Sequence, residues 1–533
     1  MSHKTKTRLW GIFALFAILN SSLSSCNALI SGEFISAPPN IIVVLTDDMD
    51  LKLSPFLKNT TSLIAEQGAT FTNYFVTSSI CCPSRASMLR GQYAHNTNVL
   101  ANAPPVGGFK RFFQDNKESD SLATWLNQAD YRTSLIGKYL NGYPVPAGKK
   151  YLPPGWTDWH VFTFLKPDES TSLFNGYTMN ENGSLVDYGY SADDYSTDVI
   201  KQKSIDFINR NSTDNTPFFL LISVYAPHGP SIPAPRHAAM FVDLEYPIGP
   251  SFNEADVTDK PALIQALTST GDETDQYDAD NLYRRRAQSL QAVDELVTEV
   301  ISSLEKNEQL DNTYIIFTSD NGFHIGEHGL PPGKGLPYEE DIHVPLMIRG
   351  PAIKANSIVG QLTTNIDLAP TIAELAGIDP AKFVDGRSIL NLLQPQPDPD
   401  LKWRKGFLVE MGLMEAGTSS STTKLSAINS VNPQAVNEYP DSRYDPLLSQ
   451  VGGGAYRGMR TETFLYVEYQ NGELEFYDLV SDPYELNNIA SGLDPKILSS
   501  LHSWLGQLQT CSAKDCRKLE ETLPVELENR PWN

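Results

Sequence analysis

One arrangement recurs along the chain and limits what it can fold into. A short apolar run, rich in β-branched residues, stops abruptly at polar ones. Residues 41–45 end at Thr46-Asp47-Asp48, and the uncharged Thr133-Ser134-Leu135-Ile136 ends at Gly137-Lys138. Residues 218–224 precede Pro227-His228, and 314–317 precede Ser319-Asp320-Asn321. Runs without polar alternation are buried on both faces, as central parallel strands are. Between them lie helical patterns such as 282–306, where Leu290, Val293, Leu296, Val297 and Val300 share one face. The reading is an α/β fold, a large mostly parallel sheet sandwiched by helices. Open sheets of this kind bind ligands at the carboxyl ends of their strands, so the four polar clusters are predicted to meet at one site.

Charge narrows the function. The 533 residues carry 41 Lys plus Arg against 64 Asp plus Glu, a formal charge of −23. That excess argues against a nucleic-acid partner bound through counterion release, and 41% hydrophobic residues argue against global disorder. Lys4, Lys6 and Arg8 precede the apolar run 9–19, which is too short to span a bilayer but suits a signal peptide. We expect residues 1–28 to be that signal, cleaved after Ala28. Leu23-Ser24-Ser25-Cys26 also resembles a bacterial lipobox, a match that small residues near any cleavage site produce easily. Export to the extracellular space is the expectation, with lysosome, cell wall and periplasm left open. Asn59, Asn182 and Asn211 begin glycosylation sequons. Cys511 and Cys516 read as a local disulfide in an oxidising compartment, whereas the adjacent Cys81 and Cys82 are poorly placed to bridge each other.

From about residue 400 the texture changes. A Ser/Thr-rich loop at 417–424 is followed by alternation over 463–477 with an Asn471-Gly472 turn, then by an amphipathic helix over 493–508. We divide the mature chain into a catalytic α/β domain, 29–400, and a smaller α+β domain, 401–533.

The run Cys81-Cys82-Pro83-Ser84-Arg85, continuing to Leu89-Arg90-Gly91, reads as a helix. Pro83 suits the first helical position and Gly91 the stop. Cys81 would then lie just outside the N-terminus, where amides and dipole favour an anion and Arg85 adds charge. A low-pKa thiolate is one reading of Cys81; two buried thiols at an ordinary helix start is the plainer one. Asp47-Asp48 and Asp320-Asn321 offer hard oxygen ligands with no Cys or His beside them, which suits Ca2+, or less well Mg2+, rather than Zn2+.

The whole run from Ser79 to Gly91 resembles the type I sulfatase signature, Cys-x-Pro-Ser-Arg with a Leu-x-Gly tail. With His95-Asn96 downstream, it is most similar to the arylsulfatase and N-acetylglucosamine-6-sulfatase branch of the alkaline phosphatase-like superfamily. The resemblance implies that a formylglycine-generating enzyme oxidises Cys81 to Cα-formylglycine, whose hydrate carries two hydroxyls. One attacks sulfur and expels the alcohol; loss of the second proton re-forms the carbonyl and ejects sulfate. It places Asp47, Asp48, Asp320, Asn321 and the modified Cys81 around a divalent cation, usually calcium, that lowers the pKa of the attacking hydroxyl. It has Lys138 and Arg85 neutralise sulfate, His228 and Lys334 hold or protonate the departing oxygen, and Asp320 take a proton. One family position departs: many arylsulfatases have a histidine where this chain has Leu140, and His324 or Asn141 would have to substitute. Arg284-Arg285-Arg286 reads as a solvated helical face.

The function implied is a sulfuric ester hydrolase acting on an aryl sulfate or sulfated saccharide. The alternatives are a formylglycine-dependent phosphoester or phosphonate hydrolase, or a non-catalytic, calcium-bound, anion-binding glycoprotein. The acidic surface favours a small or sparsely sulfated substrate.

Overall fold

The computed structural model describes residues 38–165, 173–268, 275–394, 398, 401–412, 455–528 and 532. The expected signal peptide, Cys26 and the 417–424 loop lie outside them. The strands are β1 (Asn40–Thr46), β2 (Ala69–Phe71), β3 (Tyr74–Phe75), β4 (Arg132–Gly137), β5 (Asp158–Phe162), β6 (Thr178–Glu181), β7 (Ser184–Asp187) and β8 (Phe218–Ser223). They continue with β9 (Thr313–Ser319), β10 (Leu346–Arg349), β11 (Ser357–Val359), β12 (Thr363–Thr364), β13 (Gly406–Met411), β14 (Tyr456–Thr461), β15 (Phe464–Tyr469) and β16 (Leu474–Asp478).

Ten of them form one sheet in the order β11-β2-β10-β9-β1-β8-β4-β5-β6-β7. The middle of the sheet, β9-β1-β8-β4-β5, is parallel throughout, and β10, β6 and β7 add antiparallel pairs toward the edges. The alkaline phosphatase-like expectation of a large sheet between helices therefore holds. Alternate residues of β1 serve two cores: Ile41, Val43 and Leu45 face one side, Ile42 and Val44 the other. Every β1 residue is buried, which is why the strand carries no charged side chain before Asp47.

The long helix Asp275–Lys306 covers one face. Its Leu290, Val293, Leu296, Val297 and Val300 are buried together with Ile42 and Val44. At roughly 1.5–3 kcal/mol for each large apolar side chain, that stripe fixes the helix on the sheet. The helix Cys81–Arg90 lies on the opposite side, where Ala86, Met88 and Leu89 join the core of Ile41 and Val43.

Antiparallel β13-β14-β15-β16 make a separate four-stranded sheet. The amphipathic helix Pro495–Leu508 presses Leu501, Trp504, Leu505 and Leu508 against Leu408, Met459, Phe464 and Phe476 of that sheet. The expected hairpin is β15-β16, turned at Asn471-Gly472, where Gly472 takes φ 89°. The Cys511–Cys516 disulfide is present.

Candidate active site

Polar residues just beyond the carboxyl ends of four parallel strands converge on Cys81. Asp47 and Asp48 follow β1, Lys138 follows β4, Asp320 and Asn321 follow β9, and His228 lies five residues beyond β8. Asp48 turns its backbone to φ 65°, a left-handed geometry that aspartate tolerates better than most residues. Its N–H donates to Asp320 Oδ1 at 3.1 Å, which joins the two acidic ends. Gly137 stands at φ 118°, and a Cβ there would meet the Ser223 carbonyl oxygen at 1.8 Å. Only glycine lets β4 pass β8 this closely and deliver Lys138.

The helix carrying Cys81 starts slightly earlier than expected, with Cys81 as its first residue and Gly91 (φ 64°) as its left-handed stop. Its amides are less free than the sequence suggests. Cys82 N–H donates to Asn102 Oδ1 at 2.7 Å, Pro83 has none, and Ser84 N–H donates to the Ile80 carbonyl. Positive charge at this helix start therefore comes chiefly from side chains, with the helix dipole behind them.

Those side chains interlock. Lys138 Nζ lies 2.7 Å from Asp47 Oδ2. Lys334 Nζ pairs with Asp48 and lies 2.7 Å from Cys81 Sγ. Arg85 Nε donates to Asp320 Oδ2 at 2.7 Å, and its Nη1 to Ser223 Oγ at 2.7 Å. His228 Nε2 stands 3.6 Å from Asp48 Oδ2 while its ring stacks on Tyr225. Cys81 Sγ is 3.5 Å from Asp47 Oδ1 and 3.9 Å from Asp48 Oδ1.

All of these groups are buried. Burial pushes the Asp47 and Asp48 carboxyls up, but Lys138 and His228 around Asp47, and Lys334 and His228 around Asp48, outweigh it and hold both below the usual carboxylate range. Burial pushes the Cys81 thiol well above its ordinary value despite Lys138 and Lys334. Burial thus works against the thiolate reading of Cys81 and favours the protonated thiol, a poor nucleophile, in the unmodified side chain.

Asn321 donates from Nδ2 to Asp48 Oδ1 at 2.8 Å, while its own Oδ1 is buried with no hydrogen-bond partner among the described residues. A buried amide oxygen left bare beside three carboxylates suits a hard divalent cation. The donor chemistry of Asp47, Asp48, Asp320 and Asn321 thus fits calcium or magnesium.

Every site residue singled out from the sequence joins this network. Ser223, Asn102 and Tyr225 were missed, although Ser223 sits where the apolar run of β8 ends, the signal that marked the others. Of the two substitutes for the family histidine, His324 is held at Nδ1 by Asp341 Oδ1 at 2.8 Å. Leu140 is part of the apolar core, and the Asn141 carbonyl accepts the Phe109 N–H.

Of the Arg284–Arg286 run, Arg285 is exposed and Arg284 half-buried, but Arg286 departs from the solvated-face expectation. It is fully buried, donates to the Asp48 carbonyl, and pairs with Asp50 Oδ2 at 2.9 Å. Its guanidinium lies 4.2 Å from the Phe323 ring centroid. The arginine braces the site from behind.

Residues 39–378 match the family model for Sulfatase, well over half of the chain. N-acetylglucosamine-6-sulfatase from Capra hircus is 37% identical over 90% of this chain and 85% of its own length. Arylsulfatase from Volvox carteri is 33% identical over 93% of this chain and 78% of its own length. A solved structure of BT4656, in complex with its substrate D-glucosamine-2-N,6-O-disulfate, superposes with a TM-score of 0.68 at 24% identity, covering 90% of this chain and 98% of that one. A phosphonate monoester hydrolase from Silicibacter pomeroyi reaches a TM-score of 0.64 at 20% identity over 88% of this chain and 94% of that one, so the fold alone does not separate the two chemistries. The family match and the relatives above 30% identity do, and the chain belongs to the sulfatase family, the sulfuric ester hydrolases.

Proposed function

We propose that the chain cleaves the sulfate ester of a small sulfated saccharide, a 6-O-sulfated glucosamine above all, with residue 81 acting as Cα-formylglycine. Oxidation of Cys81 by a formylglycine-generating enzyme would precede catalysis. The supporting observation is the position of Cys81. A buried, protonated thiol is a weak nucleophile, yet it occupies the point where the carboxylates and ammonium groups converge. As a hydrated aldehyde, residue 81 would supply a hydroxyl nucleophile and a second hydroxyl for sulfate release, and Asp47, Asp48, Asp320 and Asn321 would hold a Ca2+ whose charge would acidify it.

The remaining roles belong to the side chains. Lys138 and Arg85 are both buried and flank the Asp47 side of the cluster, where they neutralise the sulfate oxygens. Lys334 and His228 approach from the Asp48 side and hold or protonate the departing alcohol oxygen. Asp320, fixed by Arg85 Nε, accepts a proton from the attacking hydroxyl.

The saccharide reading rests on the N-acetylglucosamine-6-sulfatases of Capra hircus and Homo sapiens, the latter 36% identical over 94% of this chain and 90% of its own length. The glucosamine disulfate bound by BT4656 points the same way. A secretory route, ending outside the cell or in the lysosome, agrees with the similarity to extracellular sulfatase homologues of Caenorhabditis elegans and Drosophila melanogaster. Among the described residues no helix is long and apolar enough to cross a membrane.

Rates on N-acetylglucosamine 6-sulfate and on the matched 6-phosphate test the proposal. Strong preference for the phosphate would remove the sulfatase reading of this pocket. Mass spectrometry of the peptide holding residue 81 tests the nucleophile, because an intact thiol in fully active protein excludes it.

A further inference from the structure

A second set of ligating atoms lies in His328, Glu340 and Glu485. One imidazole nitrogen and two carboxylate oxygens fall within 4.8 Å of one another. They come from three stretches: the segment after β9, the short helix Glu339–Ile342, and the segment after β16. His328 is 0% and Glu485 1% exposed.

The imidazole is oriented from behind. Its Nδ1 is 2.6 Å from Glu254 Oε2, and the Tyr338 ring packs on it at 4.4 Å. In the neutral tautomer that donates Nδ1–H to that carboxylate, Nε2 presents a lone pair. It has no hydrogen-bond partner among the described residues, and neither has Glu485 Oε1; the other Glu485 oxygen accepts the Glu339 N–H at 3.1 Å. Two bare acceptors buried together repel each other and have both lost water, a costly arrangement unless a positive group lies between them.

The surrounding charges leave room for one. Glu254, Glu327, Glu339, Glu340 and Glu485 are five carboxylates, while the permanent cations paired with them are Lys52, Lys260 and Arg460. Lys52 is shared between Glu327 and Glu340, and among the described residues Glu485 has no lysine or arginine in ion-pair reach, so the carboxylates outnumber these permanent cations.

We infer that His328 Nε2, Glu340 and Glu485 hold a structural divalent cation of the zinc type. A carboxylate-oriented imidazole with two carboxylates is a donor set that zinc accepts and calcium, which prefers oxygen throughout, does not. His328 and Glu340 stand on either side of the turn that carries Lys334, and Glu485 follows the four-stranded sheet. The ion ties both ends of the Lys334 turn to that later segment.

The experiment uses the full chain, stripped with a chelator, re-equilibrated in excess Ca2+ and then titrated with Zn2+ alone, with metal analysis after desalting. The expected result is about one retained zinc per chain and a raised Tm in the wild type, and loss of both in His328→Gln. Glu254→Gln keeps the three ligands but frees the imidazole, and its zinc affinity is expected to fall about 10–100-fold. A wild type that retains no zinc in excess Ca2+ overturns the inference, as does equal retention by His328→Gln. If His328→Gln does not fold, unchanged affinity in Glu254→Gln overturns it instead. None of these readouts depends on turnover, so they stand apart from the proposed sulfatase mechanism.

Discussion

Lys334 Nζ lies 2.7 Å from Cys81 Sγ and is also paired with Asp48, so one buried ammonium joins the reactive position to the acidic cluster. Lys334→Ala is expected to lower kcat on N-acetylglucosamine 6-sulfate by about 10²–10⁴ with a smaller change in KM, the signature of a group that acts on the leaving oxygen in the transition state. Cys81→Ala is expected to abolish turnover, with Tm and circular dichroism near wild type. A Lys334→Ala enzyme that loses only KM would take the leaving-group role away from Lys334.

What the sequence revealed and what it hid have one physical origin. Strands β1, β4, β8 and β9 are buried on both faces, so charged residues are excluded from their interiors and stand out just beyond the runs. Asp47, Lys138, His228 and Asp320 were legible for that reason. Arg286 was not, because its place within the Arg284–Arg286 charge run looks like a solvent face, and its partners Asp48 and Asp50 lie more than two hundred residues away in the chain. The Asn102 hydrogen bond to the Cys82 amide is hidden in the same way, since nothing local in the helix sequence shows which amides a distant side chain will take.

Arg286 gives the second prediction. Removing the guanidinium leaves Asp50 buried without its partner, and breaking such a pair typically costs about 3–5 kcal/mol. Arg286→Met should lose stability of that order in urea unfolding, with Arg286→Met/Asp50→Asn recovering part of it. Because Arg286 also holds the Asp48 carbonyl, the single variant should need more Ca2+ for half-maximal activity. A loss below about 0.5 kcal/mol, the range of ordinary surface substitutions, would show that the buried contact carries little.

The bare Asn321 Oδ1 makes the metal assignment testable at one atom. Enzyme stripped with a chelator is expected to lose turnover and to recover it with Ca2+, less fully with Mg2+, and not with Zn2+. Asn321→Ala deletes one neutral oxygen ligand while the three carboxylates remain, so activity should return at roughly tenfold or higher Ca2+ without a change in the group that attacks. Calcium titration of stripped enzyme measures this, and superimposable curves for wild type and Asn321→Ala would exclude Asn321 as a ligand.

His95 and Glu410 carry the clearest pH dependence. His95 Nδ1 is 2.9 Å from Glu410 Oε1 and Nε2 is 3.0 Å from the Cys511 carbonyl, so both ring nitrogens face acceptors and the doubly protonated ring fits best. Burial pulls His95 down, but Glu410 and the Cys511 carbonyl outweigh it and raise the imidazole to about 9. Burial likewise pushes Glu410 up, and His95 and Arg457 bring it down to about 2. The raised histidine contributes stability that is fully present below its unfolded value near 6.5 and lost as pH climbs through about 9. The depressed carboxyl contributes stability that is present above its unfolded value near 4.5 and lost as pH falls through about 2. The contact is therefore at full strength between about pH 4.5 and 6.5. Raising pH from 6.5 to 9.5 should cost the wild type on the order of 2–3 kcal/mol at this contact, and His95→Gln, neutral throughout, should lack that component. Unfolding free energies of both proteins at the two pH values measure it, and parallel losses would show that His95 is not the titrating group.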